Sequence, residues 1–151
     1  MKVKIKKLHP DAVIPVKAHN DDFCYDVVAT SCQEIAPNVY KYNTGIALQI
    51  DESAQTAYQM RDAKLCIDVR SRSSIHKTGM ILSNSYGTVD AGYTGEISAV
   101  FYHVIPSLPR YQVGDRICQI CIGSTYNMKF TETEALTTTD RGTGGYGSTG
   151  K

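Results

Sequence analysis

An excess of charge is missing from this sequence. Sixteen lysines and arginines stand against fifteen aspartates and glutamates, a formal net charge of +1. No long-range positive field is available to gather a nucleic acid polymer. A small anionic ligand needs only a local pocket and is not excluded. Long apolar runs are missing too, and none approaches the roughly 20 residues of a membrane span. The opening MKVKIKKLHP is basic and has no apolar stretch of the signal-peptide kind. Nucleic acid and membrane partners are therefore not expected. The expected location is the cytoplasm, or a host's cytoplasm if the source is viral. Cysteine is present but in neither the number of a disulfide framework nor the spacing of a zinc site. The count is five, at Cys24, Cys32, Cys66, Cys118 and Cys121. An odd number in a chain of this size argues against a disulfide framework. The CxxC from Cys118 to Cys121 has no second CxxC and no suitable histidine pair. It lies in a strand-like apolar run, where positions three apart face opposite ways. Two core thiols are expected there. Repeats and internal linkers are also absent.

What is present is an ordinary globular balance of 42 % hydrophobic and 21 % charged residues over 151 positions. That is enough for one domain with its own core. The patterns are short and mostly of period two. Val3 and Ile5 share a face. Leu65, Ile67 and Val69 alternate with Cys66, Asp68 and Arg70. Ile97, Ala99 and Phe101 alternate with Ser98, Val100 and Tyr102, with both faces largely apolar, as in a strand buried between layers. Runs 39–50 and 116–122 read the same way. Turn clusters separate them: Ala36-Pro37-Asn38, Asn43-Thr44-Gly45, Asp90-Ala91-Gly92 and 106–114. The one helix candidate is 51–63, as a short helix or an irregular insertion. The pattern predicts an all-β sandwich or barrel.

Five stretches carry possible chemistry. FCYDVVA (23–29) places Asp26 in an apolar setting. An acid there is hydrogen-bonded to backbone or held near a cation, the first being commoner. SRSSIHKTGM (71–80) gathers Arg72, Ser73 and Ser74, which grip phosphate well, although alone it reads as a solvated loop. NSYGTVDAGYTGE (84–96) reads as a β-hairpin turning at Asp90-Ala91-Gly92. Asp90 and Tyr93 there are a turn former and an edge aromatic, or parts of a pocket for a flat base. In GDRICQI (114–120), Asp115 and Arg116 suit a structural ion pair, and Gln119 a phosphate or water contact. RGTGGYGSTGK (141–151) is too rich in glycine to hold a helix or strand alone. It is a loose terminus, or an anion-binding arm with Arg141, Tyr146, Ser148 and Thr149.

The five stretches, in this order and at this spacing, resemble the signature motifs of the trimeric dUTPase (dUTP diphosphatase) family. GTVDAGYTGE and RGTGGYGSTG carry most of the likeness, and NTGIAL (43–48) is similar to the family's early strand. Departures are Phe23 and Cys24, where a small residue and glycine are usual, Ser71 in place of proline, and a longer 51–64 connection. The resemblance implies an all-β jelly-roll of the β-clip type, with a body at 1–136 and a flexible glycine-rich C-terminal arm at 137–151. It implies a homotrimer with shared active sites, each closed by a neighbour's arm. The implied reaction converts dUTP and water to dUMP and pyrophosphate, limiting uracil in DNA and supplying dUMP for dTMP synthesis. Asp90 would activate the water that attacks the α-phosphorus, with Mg²⁺ on the triphosphate and Asp26 holding the ion through water. Arg72, Ser73, Ser74 and Gln119 would bind phosphate, and Arg141, Gly147, Ser148 and Thr149 the γ end. Asn84, Gly87, Val89 and Tyr93 would form the uracil and deoxyribose pocket, with Tyr146 stacking on the base.

Two rival readings stand beside this one. dCTP deaminases resemble the same fold but carry a catalytic glutamate where this chain has Val100. A non-catalytic trimeric binding module is the other, since some dUTPase-like proteins also bind regulatory partners. Any such partner here is unknown.

Overall fold

The computed structural model describes residues 1–145. In chain order its strands are β1 (Val3–Lys7), β2 (Tyr25–Val28), β3 (Ser31–Ala36), β4 (Val39–Ile50), β5 (Ala63–Arg70), β6 (Met80–Leu82), β7 (Gly87–Asp90), β8 (Glu96–His103) and β9 (Arg116–Tyr126). One helix, α1 (Glu52–Gln59), joins β4 to β5, and a 3₁₀ turn (Ser73–Lys77) joins β5 to β6. One sheet runs β1–β4–β8–β6, with β3 also on β4; the other runs β2–β9–β5–β7. All the strand pairs are antiparallel. The all-β class is the one expected from the period-two runs, and its jelly-roll-like form is the one the family resemblance implies.

The core lies between the sheets because alternate residues of each strand face it. Leu65, Ile67 and Val69 meet Ile97, Ala99 and Phe101 in one buried cluster. Tyr42 packs edge-on against Phe101 at 5.8 Å, and Phe101 against Tyr111 at 5.5 Å. Each such pair adds about 0.5–1.5 kcal/mol beyond burial alone. The Tyr42 hydroxyl donates to the Tyr111 carbonyl at 2.8 Å, so its polar end is satisfied.

Two expectations need correction. β8 buries only one face; Ser98 and Val100 are half-buried and Tyr102 is exposed, because nothing among the described residues covers the outer side of that sheet. The stretch 84–96 is not a hairpin. β7 pairs with β5, whereas β8 pairs with β4 and β6. The turn at Asp90 does form, with Tyr93 N–H donating to the Asp90 carbonyl at 3.0 Å, but it carries the chain from one sheet to the other. The 51–63 segment is a short helix that Asp51 caps by accepting the Ser53 N–H at 3.1 Å. Beyond β9 the chain at 127–145 has no regular secondary structure and is almost wholly exposed.

Candidate functional site

Asp26 is the centre of one polar cluster. It stands on β2 with a side chain only 13 % exposed. Its Oδ1 accepts from Arg72 Nε at 2.7 Å, and its Oδ2 from Arg72 Nη2 at 3.3 Å and Arg116 Nη1 at 3.0 Å. Of the two settings open to an acid in FCYDVVA, the cationic one is therefore realised. Arg72 Nη1 also donates to Ser74 Oγ at 3.2 Å. Ser73 begins the 3₁₀ turn beside it. Gln119 stands opposite Asp26 in the β2–β9 register and donates its side-chain N–H to the Ser71 carbonyl at 2.8 Å. Asp115 does not pair with Arg116 as expected. Its carboxylate accepts the Gln112 N–H at 2.7 Å, while Arg116 turns to Asp26, on which strand pairing directs both groups.

The second cluster is a cleft of about 280 Å³ lined by Asn84, Gly87, Val89, Asp90 and Tyr93 and floored by the outer face of β8, with Ser98 and Val100. Gly87 lets the Asn84 side chain approach, since a Cβ there would lie 3.2 Å from Asn84 Nδ2. Tyr93 is fixed in place. Its hydroxyl donates to the Glu96 carbonyl at 3.1 Å, and a Cβ on Gly95 would sit 2.6 Å from its ring Cζ. Asp90 is exposed in this chain. The other acid in the cleft, Glu96, has one carboxylate oxygen accepting the Gly45 N–H at 2.7 Å.

The two clusters do not meet within one chain. Asp26 and Asp90 lie on the same outer face, but on opposite edge strands of the sheet β2–β9–β5–β7. Asp26 shares a row with Gln119 and Arg70, and Asp90 shares a row with Cys66, four residues further along β5. Three inter-strand steps and four residues of rise put them about 19 Å apart. Arg141 makes a local contact, its Nε donating to the Gly144 carbonyl at 3.1 Å. Tyr146, Gly147, Ser148 and Thr149 lie outside the described residues.

The family model for dUTPase matches residues 11–150. The chain belongs to the dUTPase family. It is 37 % identical over 151 residues to the deoxyuridine 5'-triphosphate nucleotidohydrolase of Helicobacter pylori strain P12, covering 99 % of this chain and 97 % of that one. The enzyme of the same name from Wolinella succinogenes is 34 % identical, covering 100 % and 95 %. Among solved structures, the dUTPase of Staphylococcus bacteriophage 80alpha with dUpNHpp aligns at TM-score 0.77 and 21 % identity, over 99 % of each chain. The dUTPase of phage phi11 of Staphylococcus aureus, described with a structural Mg(II) ion, aligns at 0.68 and 17 %, over 91 % of this chain and 100 % of that one.

The fit of this dUTPase-family chain to a metal ion follows from its donors. Among the described residues no cluster of three histidine, cysteine or acidic side chains forms a cage. Asp26 spends three acceptor positions on two guanidinium groups, leaving room for one bond to a water. Such a donor set fits Mg²⁺ that arrives on a triphosphate and keeps most of its waters.

One further group was missed in the sequence. Asp68, almost fully buried, accepts from Arg70 Nη2 at 3.2 Å; the same Nη2 is 3.2 Å from the Tyr86 hydroxyl. The guanidinium lies over the Tyr86 ring at 5.1 Å and the Phe23 ring at 5.8 Å. The hydrogen-bonded Asp68 carboxylate holds the Tyr86 hydroxyl above its usual pKa. Arg70 thereby joins the loop before β2 to the loop before β7. The signal was available: an acid and a base two positions apart in a strand share one face.

Proposed function

We propose that this chain hydrolyses dUTP to dUMP and pyrophosphate. The observation that carries the reading is the cleft, where Asn84, Gly87, Val89, Asp90 and Tyr93 converge. It places one free carboxylate beside a slot bounded by backbone and an anchored tyrosine. Asp90 takes a proton from the attacking water as the α-phosphorus is approached. Backbone groups near 84–89 read the uracil edge, and cytosine, with its donors and acceptors reversed, leaves them unpaired. Tyr93 lies under the deoxyribose and leaves no room for a 2′-hydroxyl.

Arg72, Ser73, Ser74 and Gln119 bind the phosphates, and the two-point contact from Arg72 holds the Asp26 carboxylate in orientation. Asp26 would hold Mg²⁺ through water, and the ion would supply charge stabilisation for the leaving pyrophosphate. A separation of about 19 Å within one chain is too long for the reacting groups of one site. That distance supports a homotrimer in which one subunit's Asp90 cleft faces another's Asp26 cluster, with Arg141, Tyr146, Gly147, Ser148 and Thr149 closing the site. Exposed Asp90 then gains its desolvation from the neighbour and the nucleotide.

The deaminase reading lacks its acid. Val100 lines the cleft where that glutamate is required, and Glu96 is tied to the Gly45 N–H. The mechanism is tested by Asp90→Asn and by turnover in ¹⁸O-water. The variant is expected to bind nucleotide with turnover lowered about 10²–10⁴-fold, and the wild type to place the label in dUMP. Label in pyrophosphate, or near-normal turnover in the variant, contradicts the assignment.

A further inference from the structure

The outer face of the sheet β2–β9–β5–β7 carries a pair of thiols that the hydrolysis does not use. Pairing of β2 with β9 sets Asp26 opposite Gln119 and Tyr25 opposite Ile120. Cys24 stands one residue before β2, in a bend, where one further step of the same register would bring it opposite Cys121, and the two thiols are close enough to interact. The Asp26 N–H donates to the Val16 carbonyl at 2.8 Å, away from β9. Asp26 and Gln119 are therefore a non-hydrogen-bonded pair, and the same alternation continued one residue past the strand gives Cys24 and Cys121 that relation. In such pairs the Cα atoms stand about 4.5 Å apart with side chains close together. That lies within the span a disulfide bridges, about 4.4–6.8 Å. Both thiols are free, Cys24 partly accessible and Cys121 buried. On its other side, Cys121 stands opposite Asp68 and donates to Asp68 Oδ2 at 3.9 Å. The remaining cysteines lack such a partner among the described residues: Cys118 faces Val27, Cys32 faces Tyr42 and Cys66 faces Gly123 and Asp90. Burial pushes the Cys121 thiol up to about 11, and the nearby Cys24 thiol pushes the same way. Cys121 is thus the resolving thiol and the more accessible Cys24 the attacking one.

We propose that Cys24 and Cys121 form a peroxide-oxidisable dithiol whose disulfide locks β2 onto β9 beside Asp26. The Cys24 thiolate attacks a peroxide oxygen; the S–O bond forms, the O–O bond breaks, and the departing hydroxide takes a proton and leaves as water. Cys121 then attacks the sulfenic sulfur, passes its proton to Asp68, and the S–O bond breaks. The leaving hydroxide takes that proton and leaves as a second water. Two thiols and one hydrogen peroxide thus give one disulfide and two waters.

The full chain is treated with stoichiometric hydrogen peroxide and weighed intact. A loss of about 2 Da with two fewer titratable thiols is expected, the linked peptides carrying Cys24 and Cys121. Cys24→Ser abolishes the loss, whereas Cys32→Ser and Cys66→Ser keep it. The oxidised protein also melts at a higher temperature, because the bond closes most of the chain into one loop in the unfolded state. Five thiols remaining, a link between other cysteines, or oxygen added to Cys24 without a link overturns the proposal.

Discussion

Arg72 and Arg116 touch the same carboxylate, yet their removal will not cost the same. Arg72 presents Nε and Nη2 to both oxygens of Asp26 and is 22 % exposed; Arg116 gives one bond and is 52 % exposed. A hydrogen bond to a charged group contributes about 1.5–3 kcal/mol when shielded. An exposed ion pair contributes at most about 1 kcal/mol. In Arg72→Ala the Asp26 Oδ1 loses its partner in a poorly hydrated place, while Arg116 still covers Oδ2. A loss of about 2–3 kcal/mol follows. Arg116→Ala leaves the two-point contact of Arg72 intact and costs about 1 kcal/mol or less. Arg72→Lys recovers only part of the loss, because an ammonium cannot span both oxygens.

The assay is urea unfolding at fixed protein concentration, comparing midpoints at constant slope. Asp26→Asn is added to complete a double-mutant cycle with Arg72→Ala. The two substitutions should couple strongly, the second adding little once the first is made. Equal losses for the two arginine variants, or full recovery with lysine, would refute the argument that two-point contact and burial decide the difference.

Gly79 ends the 3₁₀ turn that follows Arg72, at φ +59, and a Cβ there would lie 2.5 Å from the Ile105 carbonyl oxygen. Gly79→Ala should cost about 2–4 kcal/mol through left-handed strain and backbone collision. A melting temperature lower by about 6–12 °C is then expected; an unchanged one would show that the Ile105 backbone yields freely. Stability should also fall at high pH. Burial pushes the Cys118 thiol from 9.0 up to about 12. Between those values the unfolded chain gives up a proton that the folded chain keeps, so stability present below about pH 9 is lost as pH rises. Cys118→Ala should flatten that decline, read from unfolding midpoints across the range.

The fold was legible where one face of a strand is buried and the other wet. β4 alternates from Val39 to Asn43 and β5 from Ala63 to Ile67, and their inward residues form the core. β8 misled because its outer face is also apolar, a pattern with the look of burial. In this chain that face instead floors the Asp90 cleft. Asp90-Ala91-Gly92 identified its turn correctly but not its neighbours, since a turn signal is local and a sheet partner is not. The same limit explains Arg116. Adjacent in sequence, Asp115 looked like its partner, but successive strand residues face opposite ways. Asp26, 90 positions away, became the real partner through strand pairing. The motif residues themselves could be read directly, since their order and spacing survive in the chain. Their division into two distant clusters could not, because it depends on which strands occupy the sheet edges.

The most direct measurement offers dUTP, dCTP, dTTP and UTP separately to the purified full chain with Mg²⁺ and detects pyrophosphate and ammonia. Pyrophosphate from dUTP alone is expected if the cleft lined by Asn84, Gly87 and Tyr93 is the uracil and deoxyribose pocket proposed above. Ammonia from dCTP, or no product from any of the four by folded protein, would contradict the account.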